Sequence, residues 1–429
     1  MNHFEKYKVL TPLNHGFRSG FSCETQLLTT ANDVLKSFDK NKQVDVAILD
    51  FSKAFDKVPH KKLIHKLSKY GINNSTLSWL ECFLTKRSMQ VVVDGVTSES
   101  TSVISGVPQG KVLGPILYLV HINDLPATVS SQVRLFADDC LLYREINALK
   151  DHLSLQRDLQ ALEQWADTWG MKFNASKCHI LSIKEKSSYF YKLDNVILKH
   201  VPNNPYLGVL FSEDLKFSDH INNVTKKANS TIGFLHRNLR YCPLKCKRTA
   251  YLSLVRSVLE YGCTVWDPYL QRDIDQLERV LRKAIRFITG DYKSMTPGTI
   301  NKLQNKLQFS PLETRRKAIR LTFMYKLVEG LVPAMPSKDF IKFQRPGRNI
   351  KPKKDPDFIY SKSPIDKYIK NNDRCLEIPD ATSPQAKNSF FIKTASEWNA
   401  LNNTVVHAKS PDIFKNLIQK ELGTPTGCQ

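Results

Sequence analysis

Three carboxylates at the ends of apolar, strand-like segments constrain this chain more than any other feature of its sequence. Residues 44–49 (VDVAIL) have the composition of a buried strand, and Asp50 follows them directly. Further along, short apolar runs on either side of Ala137-Asp138-Asp139 predict a hairpin with two carboxylates at its tip. Isolated carboxylates at such positions are costly to desolvate, and three brought together raise one another's pKa.

A divalent cation would relieve both problems at once. Hard carboxylate oxygens suit Mg²⁺, which typically binds one or two carboxylates together with substrate phosphates, and Mn²⁺ is the alternative ion. Two such ions about 3.5–4 Å apart can activate an attacking hydroxyl and stabilise a leaving pyrophosphate. Structural interpretations stay open for each residue taken alone, because Asp pairs are common in turns and an Asp after a strand can cap a helix.

The surrounding pattern predicts a mixed α+β region followed by a mostly helical one. In the first region we expect two hairpins and three helices: strands at 133–136 and 141–143, strands at 89–93 and 102–104 around Asp94-Gly95, and helices at 60–70, 114–122 and 151–169. Later helices fit 272–289, 312–330, 389–401 and 411–422. Residues 331–374 contain six prolines and eleven basic residues, which predicts an irregular basic linker.

Charge is distributed unevenly along the 429 residues. The whole chain carries 63 Lys and Arg against 41 Asp and Glu, a net charge of +22. Residues 1–180 are nearly balanced at +3, so the remaining residues hold +19. Such a surplus favours a polyanionic partner, and nucleic acid is favoured over a membrane surface because the basic residues do not gather on one amphipathic helix.

Cysteine content and hydropathy indicate an intracellular protein without membrane spans. The nine cysteines are an odd number scattered over a long chain, which favours reduced thiols over a disulfide framework. Cys242 and Cys246 form a CxxxC pair, but no second pair follows at zinc spacing. The mean hydropathy is −0.34, and the longest apolar run, near 112–120, is about half of what a membrane-spanning helix needs. We therefore expect the nucleus, the cytoplasm or both as its location.

Several ordered motifs surround the carboxylates. DFSKAFD (50–56), SGVPQG (105–110) and FADD (136–139) together resemble motifs A, B and C of reverse transcriptases, closest to those of non-LTR, LINE-type retrotransposons of the jockey and CR1 kind. The resemblance continues over nearly the whole chain, in HGFRSGFSCETQL (15–27), WGMKFNASKC (169–178, like motif D), YLG (206–208, like the primer-grip motif E), LEYGCTVW (259–266), SPLETRRKAIRL (310–321) and SFFIKTASEWNAL (389–401).

The resemblance implies roles for individual residues. Asp50, Asp138 and Asp139 match the metal-binding catalytic aspartates, and the carbonyl of Phe51 would be a further metal ligand. Lys177 matches the motif D lysine, a candidate proton donor to pyrophosphate; the alternative is one more solvated lysine.

Other matched residues would contact substrate. Phe55 matches the aromatic steric gate that leaves no room for a 2′-hydroxyl, with a core aromatic as the alternative. Gln109 and Gly110 match the loop that packs on the template–nucleotide pair, or else form an ordinary turn. Arg18 would contact the template phosphate, or else is a surface residue. Tyr206 and Gly208 would lie against the primer end, or else mark a plain hairpin.

The family implies an α+β fold in three parts. Residues 1–215 would form partial fingers and a palm, in which a small antiparallel sheet with flanking helices carries the aspartates. Residues 216–330 would form a helical thumb-like region, and 331–429 a basic linker with a C-terminal helical segment. The implied partners are an RNA template, a DNA primer or target, and deoxynucleoside triphosphates, with no membrane. The basic second half would then neutralise the phosphates of a bound duplex.

Two departures from the family pattern limit the expected activity. Lys111 stands where the family usually has Ser after SGVPQG, and a cation near a helix start is unfavourable. The earlier fingers motifs of the family are absent, so we expect an N-terminally truncated polymerase that is weak or inactive by itself. The alternatives are a non-catalytic nucleic-acid-binding remnant and a group II intron maturase-like polymerase, which the C-terminal segments disfavour.

Overall fold

A computed structural model describes residues 1–294, 296–344 and 372–423. Its contacts divide the chain into two compact units, Met1–Leu215 and Lys216–Gln429, and each is described by itself. The predicted basic linker falls largely outside the described residues, because its part from 345 to 371 is not among them.

Unit 1 combines helices with short strands. Its helices are α1 (Asn2–Lys6), α2 (Cys23–Asp39), α3 (His60–Lys69), α4 (Asn74–Leu84), α5 (Leu113–Ile122) and α6 (Leu149–Trp169), with 3₁₀ turns at Leu125–Thr128 and Ala175–Lys177. Its strands are β1 (Gln43–Leu49), β2 (Ser88–Met89), β3 (Val92–Val93), β4 (Val96–Thr97), β5 (Thr101–Ser102), β6 (Gln132–Phe136), β7 (Asp139–Ile146), β8 (His179–Ile183), β9 (Lys192–Leu193), β10 (Val196–Ile197), β11 (Lys199–His200), β12 (Asn203–Tyr206) and β13 (Val209–Ser212).

The main sheet of unit 1 has five strands in the order β11-β8-β1-β7-β6. The central strand β1 is antiparallel to both β7 and β8, and its side chains alternate between two apolar layers. Val46 and Ile48 line a small apolar cavity together with Val34 of α2. Ala47 and Leu49 belong to the core on the other face, which includes the leucines of α6. Burial on both faces explains why β1 has so apolar a sequence.

The predicted elements of unit 1 are confirmed near the carboxylates and less completely elsewhere. The strand at 44–49 and the three helices are present within two residues of the predicted bounds, and the hairpin at 133–143 is present with its second strand extended to Ile146. The hairpin around Asp94-Gly95 is present, but it is split into two short ladders, β3 with β4 and β2 with β5. Residues 103 and 104 lie outside its strands, so the predicted strand 102–104 was wrong over most of its length.

A buried polar cluster ties β1 to α6. Tyr191 Oη donates to Asp45 Oδ2 at 2.6 Å, and His152 lies between Tyr191 (2.7 Å from Nδ1) and Ser187 Oγ (2.9 Å from Nε2). The Ser–His–Asp order resembles a hydrolase triad, but the neighbouring backbone amides at 186 and 187 both donate to Gln43 Oε1. Those donors are therefore not available for an oxyanion, and the cluster braces the loop after β8.

A buried neutral histidine makes the stability of unit 1 pH-dependent. Burial, reinforced by the charges of Arg134 and Arg18, lowers the pKa of His15 to about 3. Because the folded pKa lies below the unfolded value, the stabilisation is present above about pH 6.5 and is lost as the pH falls toward 3. We expect His15→Gln to reduce the loss of unfolding free energy between pH 7 and 4.5 by about 2–3 kcal/mol in urea titrations. The exposed His65→Gln should leave that difference unchanged.

Unit 2 is mostly helical in its described residues, with an isolated β-bridge between Phe343 and Leu376. Its helices are α7 (Ser218–Leu239), α8 (Leu244–Tyr251), α9 (Ser257–Glu260), α10 (Cys263–Trp266), α11 (Gln271–Thr289), α12 (Thr299–Lys306), α13 (Leu312–Val328), α14 (Ser337–Phe340), α15 (Pro384–Lys387), α16 (Phe390–Asn399), α17 (Asn403–Val406) and α18 (Pro411–Glu421), with a π-helical turn at Leu252–Arg256. The predicted helices at 272–289, 312–330, 389–401 and 411–422 are confirmed. Helix α13 packs against both α16 and α18.

Helices α7 and α11 pack along apolar stripes of helical period. The buried side chains of α7 include Val224, Ala228 and Leu235, and those of α11 include Leu277 and Leu281. Full burial of one such large apolar side chain contributes about 1.5–3 kcal/mol, so this seam stabilises unit 2 substantially. The opposite faces of both helices are mainly polar and basic, with the exposed ring of Phe234 on α7.

The C-terminal family-like segments of unit 2 converge on one buried carboxylate. Asp267, which follows α10, accepts from Arg316 Nε (2.7 Å) and Lys393 Nζ (2.8 Å) and lies 3.2 Å from Arg320 Nε. Glu397 pairs with Arg320 through two contacts of 2.8 and 3.1 Å. Burial alone would raise the pKa of Asp267, but the three cations outweigh it and hold the pKa below its ordinary value.

Among the described residues, no helix is long and apolar enough to cross a bilayer.

Candidate active site at the carboxylate end of the sheet

Strand register brings the three predicted carboxylates to one end of the main sheet. Leu49 of β1 pairs with Cys140 of β7, so the adjacent residues Asp50 and Asp139 follow at the same end of the two strands. Asp138 lies in the two-residue turn between β6 and β7, because Phe136 pairs with Asp139.

The neighbouring chain fixes the conformation of this turn. Ala137 has a φ of 55° and its amide donates to Asn14 Oδ1 at 3.3 Å. A Cβ on Gly16 would lie only 2.5 Å from the amide nitrogen of Ala137, so only glycine fits there. The HGFRSG segment therefore supports the carboxylate turn through its backbone.

The three carboxylates interact electrostatically. Partial burial, followed by the charges of Asp138 and Asp50, raises the pKa of Asp139 to about 6. Among the described residues, no three His, Cys, Asp or Glu side chains converge closely enough to hold an ion by themselves. The donor set consists of carboxylate oxygens, which suits a hard cation that takes its remaining ligands from water or phosphate.

The segment like motif D is bound to Asp50. The amide of Asn174 donates to the Asp50 carbonyl at 2.8 Å, and the Asp50 amide lies 3.4 Å from Cys178 Sγ. Lys177 Nζ lies 3.8 Å from Asp50 Oδ2. Its side chain is 69% exposed, so the pair adds little stability, and the amine remains accessible to a ligand.

The loop after β1 buries one phenylalanine and leaves the other half-exposed. Phe51 stacks on Phe173 with ring centroids 4.3 Å apart, so its side chain belongs to the core. Phe55 stacks on Tyr118 of α5 at 4.5 Å, and its ring is only partly buried. Tyr118 Oη is buried with no hydrogen-bond partner among the described residues, and burial together with the nearby Asp138 raises its pKa strongly.

Asp56 holds the SGVPQG loop against the loop after β1. Gln109 Nε2 donates to Asp56 Oδ1 at 3.0 Å, and Ser105 Oγ donates to the Asp56 carbonyl at 2.9 Å. Gly106 has a φ of 91°, and a Cβ there would meet the Asp56 carbonyl oxygen at 2.7 Å. Gly110 also has a positive φ, of 73°, but in open space. Glycine is thus required at 106 for both conformation and close approach.

A cleft opens beside Asp139. It has a volume of about 220 Å³, and its lining includes Cys140 and Tyr206 together with Gly208. Tyr206 and Gly208 belong to the tight hairpin of β12 and β13. Burial raises the pKa of Tyr206 far above its usual range, and its Oη accepts from Gln26 Nε2 at 3.1 Å. The YLG segment therefore lies next to the carboxylates.

Arg18 is held by contacts within unit 1. Its guanidinium forms a bidentate pair with Glu5 (3.1 and 3.0 Å), donates to the Thr11 carbonyl and lies over the Phe21 ring. Its side chain is 6% exposed, so Arg18 is not the surface residue that was the alternative to a phosphate ligand. Lys111 is exposed and precedes α5 by two residues.

Sequence reasoning did not single out four residues of this site: Gln26, Asp56, Tyr118 and Cys178. The side chain of each contacts a residue that the sequence did single out. Their partners, in the same order, are Tyr206, Gln109, Phe55 and Asp50. Asp56 and Cys178 stand inside the quoted motifs, so their position in those motifs was an available signal. Nothing in the local sequence marks Tyr118 beyond its place in a buried helix.

Comparison with protein families finds a match over the part of the chain that holds these carboxylates. Residues 1–211 match the model described as "Reverse transcriptase (RNA-dependent DNA polymerase)". Residues 1–211 therefore form a domain of the reverse transcriptase family. The chain is also similar to the proteins of several Drosophila mobile elements.

Three curated relatives illustrate that similarity. The RNA-directed DNA polymerase from mobile element jockey of Drosophila melanogaster is 30% identical over 66% of this chain and 32% of its own length. The probable RNA-directed DNA polymerases from transposon BS and transposon X-element of the same species are 27% and 28% identical. They are matched over 66% and 64% of this chain and over 33% and 31% of their own lengths. The chain thus spans about a third of the length of these relatives.

Solved structures of yeast telomerases are also similar. Telomerase from Candida albicans in complex with a fragment of telomeric RNA is 10% identical and covers 74% of this chain and 54% of its own, with a TM-score of 0.38. Apo telomerase from Candida tropicalis is 12% identical, and the match covers 72% of this chain and 51% of the telomerase chain, with a TM-score of 0.41.

Proposed function

We propose that this chain carries the polymerase centre of a non-LTR retrotransposon and acts as an RNA-directed DNA polymerase. The reaction is nucleotidyl transfer, in which a primer 3′-hydroxyl attacks a deoxynucleoside triphosphate and pyrophosphate leaves. The observation that carries the proposal is the meeting of Asp50, Asp138 and Asp139 at one end of the sheet, beside an open cleft.

In this proposal the carboxylates hold Mg²⁺, or Mn²⁺ in its place, with the Phe51 carbonyl as a further ligand. When bound, the ion would lower the pKa of the attacking hydroxyl and stabilise charge on the departing pyrophosphate. Burial and the charges of Asp138 and Asp50 together raise the pKa of Asp139, which supports a cation at this position. Lys177, exposed beside Asp50, would donate a proton to pyrophosphate.

The remaining residues would position substrate. Phe55 would lie beneath the sugar, while Gln109 and Gly110 would pack on the template–nucleotide pair. Tyr206 and Gly208 would contact the primer end across the cleft beside Asp139. In family terms, unit 1 would be the palm with part of the fingers, and the first helices of unit 2 would be the thumb, whose exposed cations would neutralise duplex phosphates.

A primer-extension assay on poly(rA)/oligo(dT) with Mg²⁺ tests this function. We expect at most weak extension by the purified chain, which requires both template and metal and is absent from Asp138→Ala and Asp139→Ala. Salt-dependent RNA binding without any extension would instead favour a catalytically inactive, nucleic-acid-binding remnant. That second candidate is supported by Arg18, whose guanidinium is already bound by Glu5 and Thr11.

Sugar selection should depend on the ring of Phe55. Replacing Phe55 by Val removes ring volume from the face opposite Tyr118, and we expect the preference for dTTP over UTP to fall on the order of 10- to 100-fold. Steady-state kcat/KM for both nucleotides measures the ratio. Tyr118→Phe, which keeps the stacked ring, is the matched control. An unchanged ratio with reduced thermal stability would assign Phe55 to the core alone.

A further inference from the structure

Helix α7 and the turn that follows it present a solvent-exposed stripe that combines aromatic rings with cations. Phe234 and Arg237 lie three residues apart on one face of α7. Tyr241 lies in the turn after the helix ends at Leu239, and the intervening Arg240 keeps helical dihedral angles. The side chain of Phe234 is 55% exposed and that of Tyr241 is 92% exposed. Large rings at such exposure are poor packing residues and well suited to contact a ligand.

The charge around this stripe selects a polyanion as the ligand. Residues 220–250 contain seven Lys and Arg and no Asp or Glu. Arg237 and Arg240 are exposed, and neither forms an ion pair within the described part of the chain. A protein partner would need a strongly acidic, apolar face to match it, whereas a nucleic acid supplies both phosphates and bases.

The rings select unpaired bases over a duplex. A base inside a duplex hides its π-face, whereas a single strand offers one base per nucleotide to an aromatic side chain. Phe234 lies on the last turns of α7, and Tyr241 lies two residues beyond the end of the helix. Arg237 stands between them, where it can reach the phosphate that joins two stacked nucleotides.

A neighbouring cluster stiffens the end of this stripe. Arg240 lies 5.6 Å from the ring centroid of Tyr241, and its charge also acts on Tyr292. Tyr292 stacks on His236 with centroids 5.2 Å apart, and His236 contacts Phe287 of α11 at 6.4 Å. The C-terminal end of α7 is therefore anchored to α11, and Tyr241 projects from a fixed base.

We propose that the stripe formed by Phe234, Arg237 and Tyr241 binds single-stranded RNA by base stacking and phosphate contact. This proposal rests on the proposed function in one respect, because an RNA template would supply the unpaired nucleotides. The site is distinct in kind from the expected grip on a duplex, because stacking contributes affinity that does not depend on salt, while phosphate contacts do.

Fluorescence anisotropy of the full chain with a labelled single-stranded RNA of about 12 nucleotides tests the site, with an RNA–DNA duplex of the same length as comparison. We expect Phe234→Ala and Tyr241→Ala each to weaken single-strand binding roughly 5- to 100-fold without changing the salt slope. Tyr241→Trp should restore binding. Arg237→Gln should weaken binding to both ligands and reduce the magnitude of the single-strand salt slope by about 0.7.

Phe190→Ala is the matched control, because Phe190 is a 73% exposed ring in unit 1. Equal losses on single strand and duplex, or no loss from the aromatic variants, would overturn the proposal. Unchanged RNA affinity with lost self-association in sedimentation would also overturn it, and would assign the stripe to protein contact. Primer extension is measured separately, so an inactive chain that still binds RNA through the stripe would refute the proposed function alone.

Discussion

Asp138→Asn is expected to reduce nucleotide incorporation on the order of 10³-fold while leaving the chain folded. The amide keeps the shape of the carboxyl but removes the charge that would hold a cation. Because Asp138 lies in a turn between β6 and β7, its backbone conformation does not depend on that charge. Single-nucleotide incorporation under single-turnover conditions, with Mg²⁺ in excess, measures the effect.

Asp138→Asn should lower nucleotide incorporation without lowering the melting temperature. Burial, followed by the charges of Asp138 and Asp50, raises the pKa of Asp139 to about 6, so the folded carboxylates repel one another without metal. Removing one charge relieves that repulsion, and we expect Asp138→Asn to melt at the same or a higher temperature than the parent in the absence of Mg²⁺. Asp167→Asn, on the exposed face of α6, is the control for both measurements.

These two readouts together separate a catalytic from a structural carboxylate. An Asp that merely shaped the turn would leave both stability and incorporation nearly intact when changed to Asn, because Asn and Asp serve about equally well in caps and turns. A fall of less than about tenfold in incorporation, or a clear fall in melting temperature, would contradict the assignment of Asp138 to the metal site.

Local sequence patterns predicted the parts of this site that depend on neighbouring residues. The apolar run of β1 and the hairpin that carries Asp138 are short-range features, and β-strand periodicity suffices to find them. Contacts between distant segments were not predictable in this way. The pairing of Arg18 with Glu5 and the stacking of Phe55 on Tyr118 depend on how helices pack, which no local pattern encodes.

The family-like segments of unit 2 show a second limit of sequence reasoning. They were identified as motifs, and their basic residues were assigned to phosphate contact. Arg316 and Arg320 are nevertheless buried, with their guanidinium groups directed at Asp267. Their charge is part of the core of unit 2 and is not available to a nucleic acid.

Asp267→Ala is expected to lower the free energy of unfolding of unit 2 by about 3–5 kcal/mol. The change leaves Arg320 paired with Glu397, whereas Arg316 and Lys393 lose their ion pair with Asp267, and Arg316 is fully buried. Hydrogen exchange separates the units, because α13 amides should lose protection while β1 amides keep theirs. Asp275→Ala, an exposed acid on α11, should change neither by more than about 0.5 kcal/mol.

The consequence reaches beyond stability, because each family-like segment of unit 2 contributes to this one cluster. Asp267 directly follows the segment 259–266, Arg316 and Arg320 lie in 310–321, and Lys393 and Glu397 lie in 389–401. If Asp267→Ala unfolds α13 locally, the similarity of these segments to the family is explained by packing. If the loss stays under about 1 kcal/mol, the cations must have other partners, and a ligand of unit 2 would have to be sought there.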